Sequence, residues 1–276
     1  MAQKVCIASH KGGVGKTSMT CWLADSMSRA GLKVLVIDGD PQGAASDVFG
    51  WDGEVSDSLA AWFDSPKSPE KLIYTKHKSG VHIVPNTMNS FISAHKLETQ
   101  SGSSKWSPGA YLIEFLNLVE DKYDLILIDS PPHWDIHLLN CLRASDFVVI
   151  PLIPDAKGLK GVQILLGLIS REIQRGIDMP KVTGLCIHRT KPRTKTCRDV
   201  IEYLRDTYGP LVFNSEVSDS VAFAESDALG SISPLSARPG SVTSEQIVSL
   251  AEEIGSRLAE KKAWYAKELT HLEIAF

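Results

Sequence analysis

Three observations on the 276 residues predict an α/β fold, a mostly parallel twisted sheet with helices on both faces. Wholly apolar, largely β-branched runs such as Val34-Leu35-Val36-Ile37 and Leu125-Ile126-Leu127-Ile128 are what strands buried on both faces need. Segments with apolar residues at helical spacing stand between these runs. A glycine loop, His10-Lys11-Gly12-Gly13-Val14-Gly15-Lys16-Thr17-Ser18, joins the first strand to the first helix. With 43% hydrophobic and 22% charged residues, a chain of this length can bury one full core, so a single domain over residues 1–276 is expected.

Taken in order, Lys4 to Ser9 reads as the first strand. Thr17 to Ala30 reads as a helix, with Cys21, Trp22, Leu23, Met27 and Ala30 on one side and Gly31 closing it. Val34 to Ile37 completes a β-α-β unit. Gly39 to Gly50 is polar and turn-rich, Ser56 to Phe63 a short helix, and Ser65-Pro66 to Glu70 a surface loop. Val81 to Pro85 is a short strand, Asn89 to Thr99 a helix, Gln100 to Pro108 a flexible segment, and Ala110 to Glu120 a helix. Strands follow at Leu125–Ile128, Phe147–Leu152 and Val182–Ile187, with helices from Gly158 to Arg175 and Thr196 to Tyr208. A last helix runs from Ser244 to about Leu269.

Composition narrows the function. A net charge of −4 means that any grip on nucleic acid must come from a local patch. Five scattered cysteines without C-x-x-C spacing argue against a disulfide framework and against zinc or iron-sulfur sites. The first strand begins too early for a signal peptide, and no apolar run is long enough to span a bilayer. A soluble, cytoplasmic protein is expected.

The glycine loop carries the first chemistry. Its glycines let the backbone curl with NH groups inward, forming with the helix N-terminus a nest for phosphate oxygens. Lys16 supplies a point charge for the β- and γ-phosphates, and the Thr17 hydroxyl is placed to ligate Mg²⁺. The spacing G-x-x-x-x-G-K-[ST] asks for glycine where this chain has His10, and a second lysine, Lys11, opens the loop instead. This K-G-G-V-G-K-T string resembles the deviant Walker A loop of the ParA/MinD family of ATPases, which have the P-loop NTPase fold. The resemblance implies that Lys11, Gly12, Gly13, Val14, Gly15, Lys16, Thr17 and Ser18 hold ATP. It also implies that Lys11 reaches the phosphates held by the other subunit of an ATP-dependent homodimer.

Asp38 and Asp40 stand at the C-terminal end of the second strand, the edge where parallel sheets bind ligands. Alone, Asp38-Gly39-Asp40-Pro41 would read equally as a capped turn. The longer string D-x-D-P-Q-G resembles the second nucleotide motif of ParA proteins, which implies that Asp40 orients or activates the attacking water and that Asp38 lies near hydrated Mg²⁺. Asp129 ends its apolar strand as a Walker B carboxylate does, and Pro131-Pro132 matches the family's D-x-P-P. The implied catalytic set is Lys11, Lys16 and Asp40, and the metal set Thr17, Asp38 and Asp129. No glutamate follows Asp129, so hydrolysis is expected to be slow until a partner stimulates it. Pro151 to Gly161 matches a proline-led loop that faces the dimer interface in the family.

The segment His188 to Arg198 holds Arg189, Lys191, Arg193, Lys195 and Arg198, five positive charges without an acid. It reads either as a solvated basic loop or as a sequence-independent, salt-dependent DNA contact. Arg193 sits roughly where family members place an arginine on DNA. Where the relatives have a basic P-R-N-V-R-like segment, this chain has Ser218-Asp219-Ser220-Val221-Ala222, so a second basic contact is missing; Lys157, Lys160, Arg171 and Arg175 are substitutes. At the C-terminus, Lys261, Lys262 and Lys267 are balanced by Glu260, Glu268 and Glu273, which favours packing or partner contact over a MinD-type membrane helix. The resemblance, from Lys4 to about Leu258, implies a ParA/Soj-type partition ATPase that binds DNA nonspecifically on the nucleoid and answers to a ParB-like or adaptor protein. A positioner of protein cargo, a MinD-like membrane-cycling regulator and a nucleotide-gated DNA scaffold without turnover share its motifs.

Overall fold

Strands form where both faces of the backbone are covered, and helices where only one stripe is apolar. A computed structural model of the chain describes residues 1–64, 68–91, 110–191 and 194–260. The strands are β1 (Gln3–Ile7), β2 (Val34–Asp38), β3 (His82–Val84), β4 (Leu125–Asp129), β5 (Phe147–Leu152), β6 (Lys181–Thr190) and β7 (Val217–Ser218). The helices are α1 (Lys16–Arg29), α2 (Ala44–Val48), α3 (Leu59–Asp64), α4 (Tyr111–Asn117), α5 (Ile136–Arg143), α6 (Ala156–Gln174), α7 (Lys195–Tyr208), α8 (Val221–Ala228), α9 (Pro234–Ala237) and α10 (Val242–Ala259). The strands build one seven-stranded sheet in the order β3-β2-β4-β1-β5-β6-β7, and every strand pair in it is parallel.

Alternation along the strands divides the core into two layers. Val5 and Ile7 of β1 face a layer containing Met19 and Leu23 of α1 and Ile247, Leu250 and Ile254 of α10. Cys6 and Ala8 face the opposite layer, with Phe115, Leu138, Leu165 and Ile169. The core residues of β2 and β4 are fully buried, as their unbroken apolar runs require. A buried arginine ties the last helix to the sheet. Arg257 donates to the carbonyls of Thr183, Leu211 and Val212 and to Glu253, and its guanidinium lies 4.0 Å over the Phe213 ring.

Several elements depart from the sequence expectation. The turn-rich Gly39–Gly50 segment contains α2, entered through Gly43 at φ 72°. No element was expected between Pro132 and Phe147, yet α5 forms there because Asp135 accepts from the His137 and Leu138 amides at 3.0 Å and starts the helix. The Ser56–Phe63 helix divides into a 3₁₀ turn, Val55–Asp57, and α3. Strand β6 runs three residues past Ile187 to Thr190, carrying polar side chains that hydropathy alone would end it before. β7, α8 and α9 were not expected; α8 and α9 start at Ser220 and Ser233, whose side chains cap them. The last helix is described to Ala259, and the remainder of its expected span lies outside the described residues, as do the Gln100–Pro108 segment, most of the Asn89–Thr99 helix and residues 65–67. No helix among the described residues is long and apolar enough to cross a membrane. All five cysteines are buried free thiols.

Candidate nucleotide-binding site

The site follows from strand register. Ile7 of β1 is level with Asp129 of β4, and Asp129 is level with Asp38 of β2, so the glycine loop and both carboxylate motifs leave the sheet at one height. A crossover on each side of β1 opens a crevice at that edge. Gly13 and Gly15 take φ 72° and 81°, the left-handed backbone that glycine adopts without strain. Gly15 also caps α1 without a side-chain partner, and no acidic residue stands in the first turn, so the positive helix terminus and its NH groups face the crevice. Gly39 is needed for a different reason. A Cβ there would run into the Cys141 sulfur and lie 2.6 Å from the Asp129 carbonyl oxygen.

Lys16 is 7% exposed, and burial pulls its pKa below the ordinary lysine value against the opposing pull of Asp129 and Asp40. The Thr17 hydroxyl donates to Asp129 Oδ2 at 2.6 Å, while Asp129 Oδ1 is buried without a partner. Burial pushes Asp129 up to about 7, with the Thr17 bond and Lys16 holding it down. A hydroxyl and a half-satisfied carboxylate converging beside the helix terminus fit a Mg²⁺-bound phosphate group.

Asp38 sits differently. Its side chain is fully buried and accepts from the Asp40 amide at 3.2 Å and from the Ser46 amide and hydroxyl at 2.8 and 2.6 Å. Burial and then the nearby Asp129 raise it to about 8. Its bonds therefore fasten the turn that presents Asp40, which lines the crevice. Lys11 Nζ lies 3.3 Å from both Asp155 oxygens, so the proline-led loop, through the residue that caps α6, holds this lysine within its own subunit.

The cleft has a volume of about 590 Å³ and extends from the loop glycines past Lys16, Thr17 and Ser18 to an aromatic wall. Trp22 and Phe223 stack there at 4.4 Å and 16°. His188 lies behind Gly15, fully buried, with neither ring nitrogen in hydrogen-bond geometry, and burial pushes its pKa down to about 4. Sequence reading placed Trp22 in the core and gave His188 no role; the available signal was position, directly after an apolar strand at the ligand edge. The described basic side chains of the segment, Arg189, Lys191, Lys195 and Arg198, are exposed, but two of them have an acid nearby. Asp219 lies 3.7 Å from Arg189 and 3.6 Å from Lys191, supplying the acid that the segment itself lacks. Lys195 and Arg198 belong to the first turn of α7, and Arg193 lies outside the described residues. Of the substitutes, Arg171 and Arg175 are both paired with Glu172.

Comparison with known proteins decides the family. The AAA domain family matches residues 2–179. The chromosome-partitioning ATPase Soj of Treponema pallidum is 30% identical over 83% of this chain and 88% of its own length. The chain belongs to this family, as a ParA/Soj-type partition ATPase. The Soj ATPase of Thermus thermophilus is 29% identical, covering 94% of this chain and 97% of that protein. A Cyanothece McdA variant solved in complex with ATP shares the fold, with a TM-score of 0.80 at 21% identity over 92% of this chain and 96% of that one. The P-loop NTPase fold expected of a ParA/Soj-type chain is therefore present, and ATP with Mg²⁺ is the family's cofactor.

Proposed function

We propose that the chain is a DNA partition ATPase that dimerises on ATP, binds DNA nonspecifically and releases it when a ParB-like or adaptor partner stimulates hydrolysis. The observation that carries this reading is the convergence of Lys16, Thr17, Asp129 and Asp40 at one sheet edge, with Lys11 at the mouth of the same loop. Lys16, Gly12, Gly13, Val14, Gly15 and Ser18 would hold the phosphates through charge and backbone NH groups; Thr17 and Asp129 would hold the metal. When bound, Mg²⁺-ATP supplies the transferable γ-phosphoryl group and the negative charge that joins two subunits. Lys11 would exchange Asp155 for the neighbour's phosphates, and the Asp40 carboxylate, held in its turn by the Asp40 amide's bond to Asp38, would orient water. Asp38 acts by fixing the Asp40 turn through its bonds to the Asp40 amide and Ser46. The absence of a glutamate after Asp129 leaves basal turnover slow.

This reading places the protein in the cytoplasm on the nucleoid, as one domain whose DNA contacts are Arg189, Lys191, Arg193, Lys195 and Arg198. The deciding experiment measures retention on nonspecific DNA with ATP, with ADP and without nucleotide across a salt series, with Arg193→Ala alongside. Retention that requires ATP and weakens steeply with salt supports the reading. Equal retention in all three nucleotide conditions, or none, overturns it.

A further inference from the structure

The β6–β7 edge is interrupted at Arg189. Strand register shifts between His188 and Thr190, and Arg189 takes φ 53°, which no other non-glycine residue does among those described. A bulge re-aims the side chain it carries, and left-handed backbone at a bulky residue persists only where its surroundings over-determine it. Here it turns Arg189 Nε to 3.7 Å from one Asp219 oxygen, while Lys191 Nζ lies 3.6 Å from the other. The Asp219 amide donates to the Thr190 carbonyl at 3.1 Å, so the acid is pinned to the strand whose cations it faces. Arg189 and Asp219 also both line the nucleotide cleft.

We propose that Asp219 is a built-in counter-charge that masks Arg189 and Lys191 from DNA phosphates until a nucleotide polyanion enters the cleft. The inference rests on the DNA-binding reading above and adds its regulation. A polyanion bound in the cleft that Arg189 and Asp219 both line attracts Arg189 and repels the Asp219 carboxylate, so it favours the arrangement in which both exposed cations are unpaired and carry their full charge to DNA. Linkage makes the effect reciprocal: DNA tightens nucleotide binding by the factor by which nucleotide tightens DNA binding. The acidic segment that replaces a basic one in this chain thereby gains a role.

The test uses the full chain with Asp219→Asn and Asp219→Glu, a fluorescently labelled nonspecific duplex, and salt series without nucleotide and with ATP. The pairs are partly exposed and individually weak. Without nucleotide, Asp219→Asn should bind DNA about threefold to fivefold more tightly than wild type at low salt. Its log–log salt slope should steepen by about 1 to 2, since up to two more phosphates are neutralised. With ATP the two proteins should converge, and Asp219→Glu, which keeps the charge, should follow wild type throughout. An Asp219→Asn protein matching wild type in affinity and slope without nucleotide, while ATP-loaded wild type retains DNA, overturns the mask and leaves the DNA reading standing. Wild type that never retains DNA overturns both.

Discussion

Lys16 is held almost dry, and its charge is tolerated because Asp129 and Asp40 stand near it. A charge kept at that expense is matched to a charged ligand, so Lys16→Ala should weaken ATP binding by about tenfold to a hundredfold, the worth of a charge-assisted hydrogen bond. Titration with a fluorescent ATP analogue reads this directly, and unchanged affinity would remove Lys16 from the site. Asp40 is expected to act later: Asp40→Ala should keep ATP and the dimer while losing turnover, measured by sedimentation beside phosphate release. Gly15 is constrained twice, by φ 81° and by His188 Cε1, 2.7 Å from where a Cβ would sit. Gly15→Ala should cost about 1–2 kcal/mol from the backbone alone, with more from the overlap. Urea unfolding in a His188→Ala background should recover only the overlap part, because the backbone strain remains.

At the scale of elements, the buried strands could be read from sequence because a strand covered on both faces has nothing but apolar residues to show. The edges were harder. β6 continues through His188, Arg189 and Thr190 because its backbone still finds β7, a two-residue partner too short to announce itself. α5 hides behind His137 and Asn140, and its start depends on the Asp135 side chain rather than on an apolar stripe. The positions of the nucleotide motifs at a loop and at strand ends were legible; the pairing of Lys11 with Asp155 and of Asp38 with Ser46 was not, since both join segments whose approach only the fold decides. α10 is a case where one residue holds an element in place. Arg257→Met should destabilise the protein by about 3 kcal/mol, leaving Glu253 without its cationic partner and removing one donor from each of three carbonyls. A lower urea midpoint at unchanged slope is the expected signature.

For the whole molecule, His188 links stability to pH. Its folded pKa of about 4 lies below the ordinary histidine value of 6.5. The unfolded chain therefore takes up a proton that the folded chain refuses as pH falls from about 6.5 towards 4. The stability this represents is fully present above pH 6.5 and is lost across that window, amounting to up to about 3 kcal/mol. Asp38 and Asp129, raised to about 8 and 7, act in the opposite sense, so the comparison is between wild type and His188→Gln under the same titration. Wild type should lose more stability than the variant between pH 6.5 and 4; parallel curves would show that the imidazole titrates normally. The sheet order has a further consequence for biogenesis. The glycine loop and both carboxylates, Asp40 and Asp129, have been translated by Asp129, yet α1, which bears Lys16 and Thr17, packs against α10, Val242–Ala259. A nascent polypeptide therefore carries its phosphate- and metal-binding residues well before the ribosome delivers the helix that seats α1, and competence for ATP waits until α10 has emerged.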